Sequence, residues 1–261
     1  MTKLKHFDVL KIKHFVIFIT FLYYISCQNN TELLTKIEGK QIVIDSADAI
    51  VDSIASFILP YHTHVEEVLD SALAYASWDI TKTDGPYNTT AGNLMADIIL
   101  EQAAPLFKSR TGKNLDFVLL NHGGIRSSIT KGKVSARTAF EVMPFENNIV
   151  VVELRGKSVK DMLNYLIRSK RAHPVAGIQL VLNKDDSIKS LKIRGEPFEE
   201  EKNYYVATSD YLVSGGDDMV FFKDALEVTD IDYKIRSAMI DYFTKVDTLS
   251  PKVDLRYYKV E

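Results

Sequence analysis

Three short stretches of this chain carry residue types that could hold a small planar molecule bearing a charged group. The first is FVLLNHGGIRS, Phe117 to Ser127. Asn121 ends an apolar run, and Gly123 and Gly124 follow it. Lacking a Cβ, these glycines let a ligand come close to the main chain. Arg126, just beyond, offers a rigid fork of donors suited to a phosphate or carboxylate. The second stretch is VMPFENN, where Phe145 follows Pro144 and precedes Asn147. The third is SDYLVSGGDD, where Tyr211 and Asp217 flank another glycine pair, Gly215 and Gly216. Any one of these alone fits an ordinary turn. Together they place two aromatic rings in polar, turn-rich settings, where rings can face each other across a cleft with a planar ring between them.

The elements that must deliver these loops can be read from periodicity. Phe117–Leu120 is a short apolar run bounded by turn signals, which predicts a strand covered on both faces. Strands are also predicted at 149–154 and 204–208, each beside one of the other two stretches. Helices are predicted over 92–107 (Leu94, Met95, Ile98, Ile99 and Ala103 in one stripe), 135–142, 156–170 and 233–245. The segments 177–182 and 188–193 predict a hairpin around a turn-prone 183–187, and 253–260 predicts a terminal strand. Upstream, 47–59 and 61–76 predict two helices separated by Pro60, which interrupts an α-helix. His62 and His64 are two positions apart and point in different directions, which favours solvent-facing side chains over a shared metal. Strands alternating irregularly with helices give a layered α+β domain with a helical lead-in.

NHGGIR, VMPFENN and YLVSGGDD, in this order and with GNLMADIIL upstream of them, resemble the C-terminal, substrate-binding domain of the 5′-nucleotidase/UDP-sugar hydrolase family. The resemblance runs from about Ala47 to the C-terminus. It implies substrate contacts at Asn121, Gly123, Gly124, Arg126, Phe145, Asn147, Tyr211, Gly215, Gly216 and Asp217, with a nucleotide or nucleoside as ligand. An arginine that touches substrate in that family stands about five residues before the glycine matched by Gly92; here the position is Tyr87. Hydrolysis in the family is the work of a separate metallophosphoesterase domain that holds two metal ions. None of its signatures (Asp-x-His, Gly-Asp-x-x-Asp, Gly-Asn-His, Gly-His-x-His) occurs in these 261 residues. Divalent metals are therefore expected only on a partner catalytic domain, with no metal ligand and no catalytic residue assigned to this chain. No Gly-x-Ser-x-Gly elbow or P-loop occurs either.

Composition is that of a globular protein, 46% hydrophobic and 26% charged, and a net charge of -3 argues against a nucleic-acid polymer as partner. Residues 1–27 have the layout of a secretory signal: Lys3, Lys5, Lys11 and Lys13, then an uncharged apolar run from Phe15 to Ile25, then Ser26-Cys27. Cys27 is the only cysteine. Its position resembles a bacterial lipoprotein processing site, with Tyr24 where leucine is usual. A lipid on Cys27 would anchor the chain to a membrane of the cell envelope, with residues 28–46 as tether and 47–261 as the domain. Two functions are open at this point. One is the binding half of a split 5′-nucleotidase, the metal domain being a separate subunit that faces the lead-in helices. The other is a stand-alone nucleotide- or nucleoside-binding lipoprotein without catalysis.

Overall fold

The computed structural model describes residues 9–25, 34, 36–42 and 51–260. The chain divides into two units, Met1–Asp52 and Ser53–Glu261. The first contains helix α1, Val9–Ile25. Among the described residues no helix is long and apolar enough to cross a membrane. Cys27, residues 47–50 and most of the tether expected over 28–46 lie outside the described residues.

Helix α2 is Asp52–Asp70, and all of it from Ser53 onward belongs to the second unit. The break expected at Pro60 does not occur. Proline removes one helical N–H, but Pro60 is exposed, so water can satisfy the carbonyl left without a donor. The second expected helix is corrected too: α2 ends at Asp70, and Ala72–Ala76 is strand β1. Its alanines favour a helix intrinsically, yet pairing on both sides overrides that preference. β1 lies between β3 (Gly132–Ser135) and β11 (Thr248–Leu249), antiparallel to the first and parallel to the second.

Between them run α3 (Thr90–Thr111) and β2 (Phe117–Leu119). The Thr89 hydroxyl caps α3 by accepting from the Gly92 N–H at 3.1 Å. After β3 come α4 (Ala136–Val142), β4 (Asn148–Arg155) and α5 (Gly156–Ser169). The chain continues through β5 (Val175–Ala176), β6 (Ile178–Leu182), β7 (Ile188–Ile193), β8 (Glu196–Pro197), β9 (Asn203–Ser209) and α6 (Asp210–Val213). It closes with β10 (Glu227–Lys234), α7 (Ile235–Lys245) and β12 (Tyr257–Lys259). The terminal strand is thus shorter than the expected 253–260, because Asp254 and Arg256 are engaged in side-chain hydrogen bonds instead.

The central layer is a five-stranded sheet in the order β10-β4-β9-β2-β5. Alternation along β2 explains its continuous apolar run. Phe117 and Leu119 join one core with Val159, Met162, Leu163 and Leu166 of α5. Val118 and Leu120 join another with Ile98 and Ile99 of α3 and Met239 and Phe243 of α7. Both faces of the sheet are buried, and the result is the layered α+β arrangement expected. A four-stranded sheet, β12-β6-β7-β8, contains the expected hairpin.

Candidate ligand-binding site

Sheet order brings the three stretches together. β2 and β9 are parallel neighbours, so the turn after Leu119 and the segment after Ser209 leave the same edge of the layer. β4 runs antiparallel to β9 with Ile149 opposite Ser209. Its entry segment, Met143–Asn147, therefore arrives at that edge as well. The three converge on a cavity of about 670 Å³ lined by Asn121, Gly123, Gly124, Arg126, Phe145, Asn147, Tyr211 and Asp217, together with Met143, Pro144 and Glu146. Gly215 and Gly216 are not in the lining. Gly216 lies beneath it: a Cβ there would come within 2.4 Å of the Tyr211 ring. Tyr87 is elsewhere, its ring 5.0 Å from that of Tyr257.

Phe145 and Tyr211 are 42% and 44% exposed, which makes them rim residues of the cavity and not core. The Arg126 guanidinium lies 5.8 Å from the centre of the Phe145 ring, within cation–π range, and donates to the Gly123 carbonyl at 3.4 Å. Across the cavity Asn121 Nδ2 donates to Asp217 Oδ2 at 2.7 Å, and the Tyr211 hydroxyl lies 3.4 Å from Asp217 Oδ1. Asp217 has φ +51°, and the Tyr165 hydroxyl holds its carbonyl at 2.7 Å. A Cβ at Gly124 would press to 2.9 Å from Asn121 Oδ1 and push on the amide that reaches Asp217.

Several residues that fix this geometry have no local signal in the sequence. Asp210 accepts from Asn147 Nδ2 (2.8 Å), the Asn148 N–H (3.2 Å) and the Tyr211 N–H (2.7 Å), tying the Phe145 loop to the Tyr211 helix. Arg236, buried at the start of α7, donates to the carbonyls of Met143 and Phe145, each at 3.3 Å, and pairs with Glu146. Lys234 also pairs with Glu146, so that carboxylate is neutralised at the cavity rim.

The glycine turn is strapped from below by Ala172-His173-Pro174. The Leu120 N–H donates to Pro174 O at 2.9 Å, and the His122 N–H to His173 Nδ1 at 3.2 Å. His122 Nδ1 lies 3.2 Å from Ala172 O, which can only accept, so that nitrogen carries a proton. His173 is 2% exposed. Burial, then repulsion from His122, pushes its pKa down to about 4. Asp217 pulls weakly the other way and Arg171 adds to the depression. With the folded value depressed, the unfolded chain takes up the proton first, so stability is lost as pH falls from about 6.5 to about 4. Linkage gives a loss of about 2 kcal/mol between pH 7.5 and 5 from this residue. Urea unfolding at the two pH values is expected to show that loss, and His173→Asn, whose Oδ1 keeps the acceptor without a titration, is expected to flatten it.

A second hollow, about 750 Å³, is lined by Asp161, Asp186, Asp218 and Asp224 with Arg168. That balance repels an anionic ligand, whereas the Asn121–Tyr211 cavity joins a guanidinium to two rings. Among the described residues no group of three or more His, Cys, Asp or Glu side chains is arranged to hold a metal ion.

The 5′-nucleotidase, C-terminal domain family model matches residues 76–224, more than half of the chain. Protein UshA of Escherichia coli (strain K12) is 37% identical over 111 residues, covering 41% of this chain and 20% of its own length. The trifunctional nucleotide phosphoesterase protein YfkN of Bacillus subtilis (strain 168) is 30% identical over 187 residues, covering 66% of this chain and 12% of its own. Among solved structures, the 5′-nucleotidase precursor from Thermus thermophilus superposes with a TM-score of 0.66 at 22% identity, over 80% of this chain and 43% of that one. This last likeness shows the fold. The chain spans a fifth or less of the length of these two curated relatives.

Proposed function

Since the chain belongs to the 5′-nucleotidase C-terminal domain family, we propose that it is the nucleotide- or nucleoside-binding half of a split 5′-nucleotidase, the metallophosphoesterase residing on a separate polypeptide. The observation that supports the binding part of this reading is the convergence of Asn121, Arg126, Phe145, Tyr211 and Asp217 on one cavity. Phe145 and Tyr211 offer aromatic faces to a base, and the amide and carboxylate of the Asn121–Asp217 pair suit a ribose hydroxyl or a base edge. Arg126 is the only arginine in the cavity lining. A single exposed guanidinium adds a modest, salt-sensitive increment for phosphate. Base and ribose therefore dominate the affinity.

Titration calorimetry on the full chain is expected to give adenosine and AMP affinities within about tenfold of each other, a gap of about 1.4 kcal/mol or less. The same preparation, supplied with Mn²⁺, Zn²⁺ or Mg²⁺, is expected to release no phosphate from AMP until a metallophosphoesterase subunit is added. AMP bound hundreds of times more tightly than adenosine at physiological salt would require a second cation in the clamp. Metal-dependent turnover that copurifies with this chain alone would refute the split arrangement, and binding with no partner able to confer turnover would favour the stand-alone binding protein.

We also place the chain in the cell envelope, held by a lipid on Cys27; the support is the basic start, the apolar run and the lone cysteine. Cys27→Ser is expected to move the protein from the membrane to the soluble fraction, or to block processing. A correctly cleaved mutant that still partitions with membrane would argue against the lipid.

A further inference from the structure

Asp217 and Asp218 are neighbours in the chain that line different hollows. Asp217 is in the lining of the Asn121–Tyr211 cavity and Asp218 in that of the second hollow, which Tyr165 of α5 also lines. Both aspartates have left-handed backbone, with φ +51° and +58°. A residue with a Cβ resists that conformation, and two in succession hold it only where their surroundings impose it.

Asp217 is held at two points. The Tyr165 hydroxyl donates to its carbonyl at 2.7 Å, and its carboxylate accepts from Asn121 Nδ2 at 2.7 Å. One residue is thus tied at its backbone to α5 and at its side chain to the turn after β2. Packing fixes the aim of Tyr165: its ring centre lies 5.5 Å from that of His173 and 5.7 Å from that of Phe221, tilted against both. His173 in turn accepts from the His122 N–H. The Tyr165 ring therefore rests on the strap that carries the glycine turn, and its hydroxyl sets Asp217 relative to that turn. Burial, then the charge of Asp217, raises the pKa of this hydroxyl above the usual tyrosine value, so it stays protonated and donates at neutral pH. Tyr165 is not in the lining of the Asn121–Tyr211 cavity, and any effect it has on a ligand there passes through the residues it holds.

We propose that Tyr165 is a positioning residue for the ligand: its hydroxyl holds the Asp217 backbone so that the carboxylate meets Asn121 and the Tyr211 hydroxyl inside the cavity. This rests on the reading of that cavity as a nucleoside site, and its test therefore includes a measurement that needs no ligand.

The test compares Tyr165→Phe with Tyr204→Phe in the full chain. Tyr165→Phe keeps the ring and its packing and removes the hydroxyl. Tyr204→Phe removes a hydroxyl from the same core that bonds the backbone of Glu199, and so shows what the loss of a tyrosine hydroxyl does to the fold in general. The first readout is the side-chain amide NMR signal of Asn121, identified by its loss in Asn121→Ser. Tyr165→Phe is expected to shift that signal in the direction that Asp217→Ala shifts it, and Tyr204→Phe to leave it in place. The second readout is adenosine titration. Tyr165→Phe is expected to weaken binding about threefold to tenfold, the span of one neutral hydrogen bond, and by less than about twofold in the Asp217→Ala background. An Asn121 signal that Tyr165→Phe does not move, or that Tyr204→Phe moves equally, would overturn the proposal. So would wild-type affinity in Tyr165→Phe, or a loss of affinity undiminished in the Asp217→Ala background. Wild-type protein that binds no adenosine would refute the nucleoside reading of the cavity, and the Asn121 signal would then decide by itself whether Tyr165 positions Asp217.

Discussion

Asp217→Ala is expected to weaken adenosine binding by ten- to a hundredfold. The carboxylate receives the Asn121 amide at 2.7 Å and stands 3.4 Å from the Tyr211 hydroxyl, so its removal frees a group from the β2 turn and another from the α6 loop at once. Hydrogen bonds to an ionised group contribute about 1.5–3 kcal/mol, which corresponds to the range stated. A collapsed loop would add to the loss, because residue 217 sits at φ +51°, where alanine is less at ease than aspartate. Asp217→Asn separates the two effects, since asparagine tolerates that backbone and keeps one acceptor. Affinity that survives Asp217→Ala within twofold would remove this carboxylate from the site. Affinity lost in the alanine variant and largely kept in the asparagine variant would assign the effect to backbone order and the neutral acceptor, not to charge.

The largest expected effect on stability is at Arg256, which is not among the residues lining the cavity. Its guanidinium grips both oxygens of Asp97 at 2.8 and 2.9 Å, those of Asp254 at 2.8 to 3.1 Å, and the Val175 carbonyl at 2.8 Å. It thereby ties the C-terminal segment to α3 and to the edge strand β5. Burial opposes the charge on Asp254, yet the hydrogen bonds from Arg256 still hold that carboxyl below its usual range. Arg256→Ala leaves two carboxylates and a carbonyl without their shared donor. Because both aspartates are partly exposed, water recovers some of the loss, and we expect about 2–3 kcal/mol rather than the full cost of a buried orphan charge. For a protein of this size that is a fall in Tm of about 5–10 °C. Differential scanning calorimetry measures it, and an unchanged Tm would mean that the network is solvated at no cost. Arg256→Lys is expected to recover little, since an ammonium cannot grip two carboxylates in the plane.

Much of the fold was legible because its signals are local. The apolar run Phe117–Leu120, the stripe Val159, Met162, Leu163 and Leu166, and the hairpin around 183–187 each declare themselves within a few residues, and the structure has them. The three loops of the cavity were legible for the same reason, their glycine pairs and displaced aromatics being short-range oddities. What could not be read depends on distant partners. Ala72–Ala76 becomes a strand only because β3 and β11, the latter from the far end of the chain, flank it. Pro60 breaks nothing because its side of α2 faces water. Asp210, Arg236, Tyr165 and His173 are ordinary polar residues in the sequence, and acquire their roles from backbone groups that only the sheet order brings alongside.

The three-point grip of Asp210 on Asn147, Asn148 and Tyr211 also makes the cavity a thickness gauge. Phe145 and Tyr211 are carried on segments that share one carboxylate, so in the proposed site the separation of the two rings depends on Asp210. If the two rings sandwich a base as proposed, a flat aromatic heterocycle is expected to enter with those hydrogen bonds intact, and a reduced, puckered ring of the same composition only by breaking them.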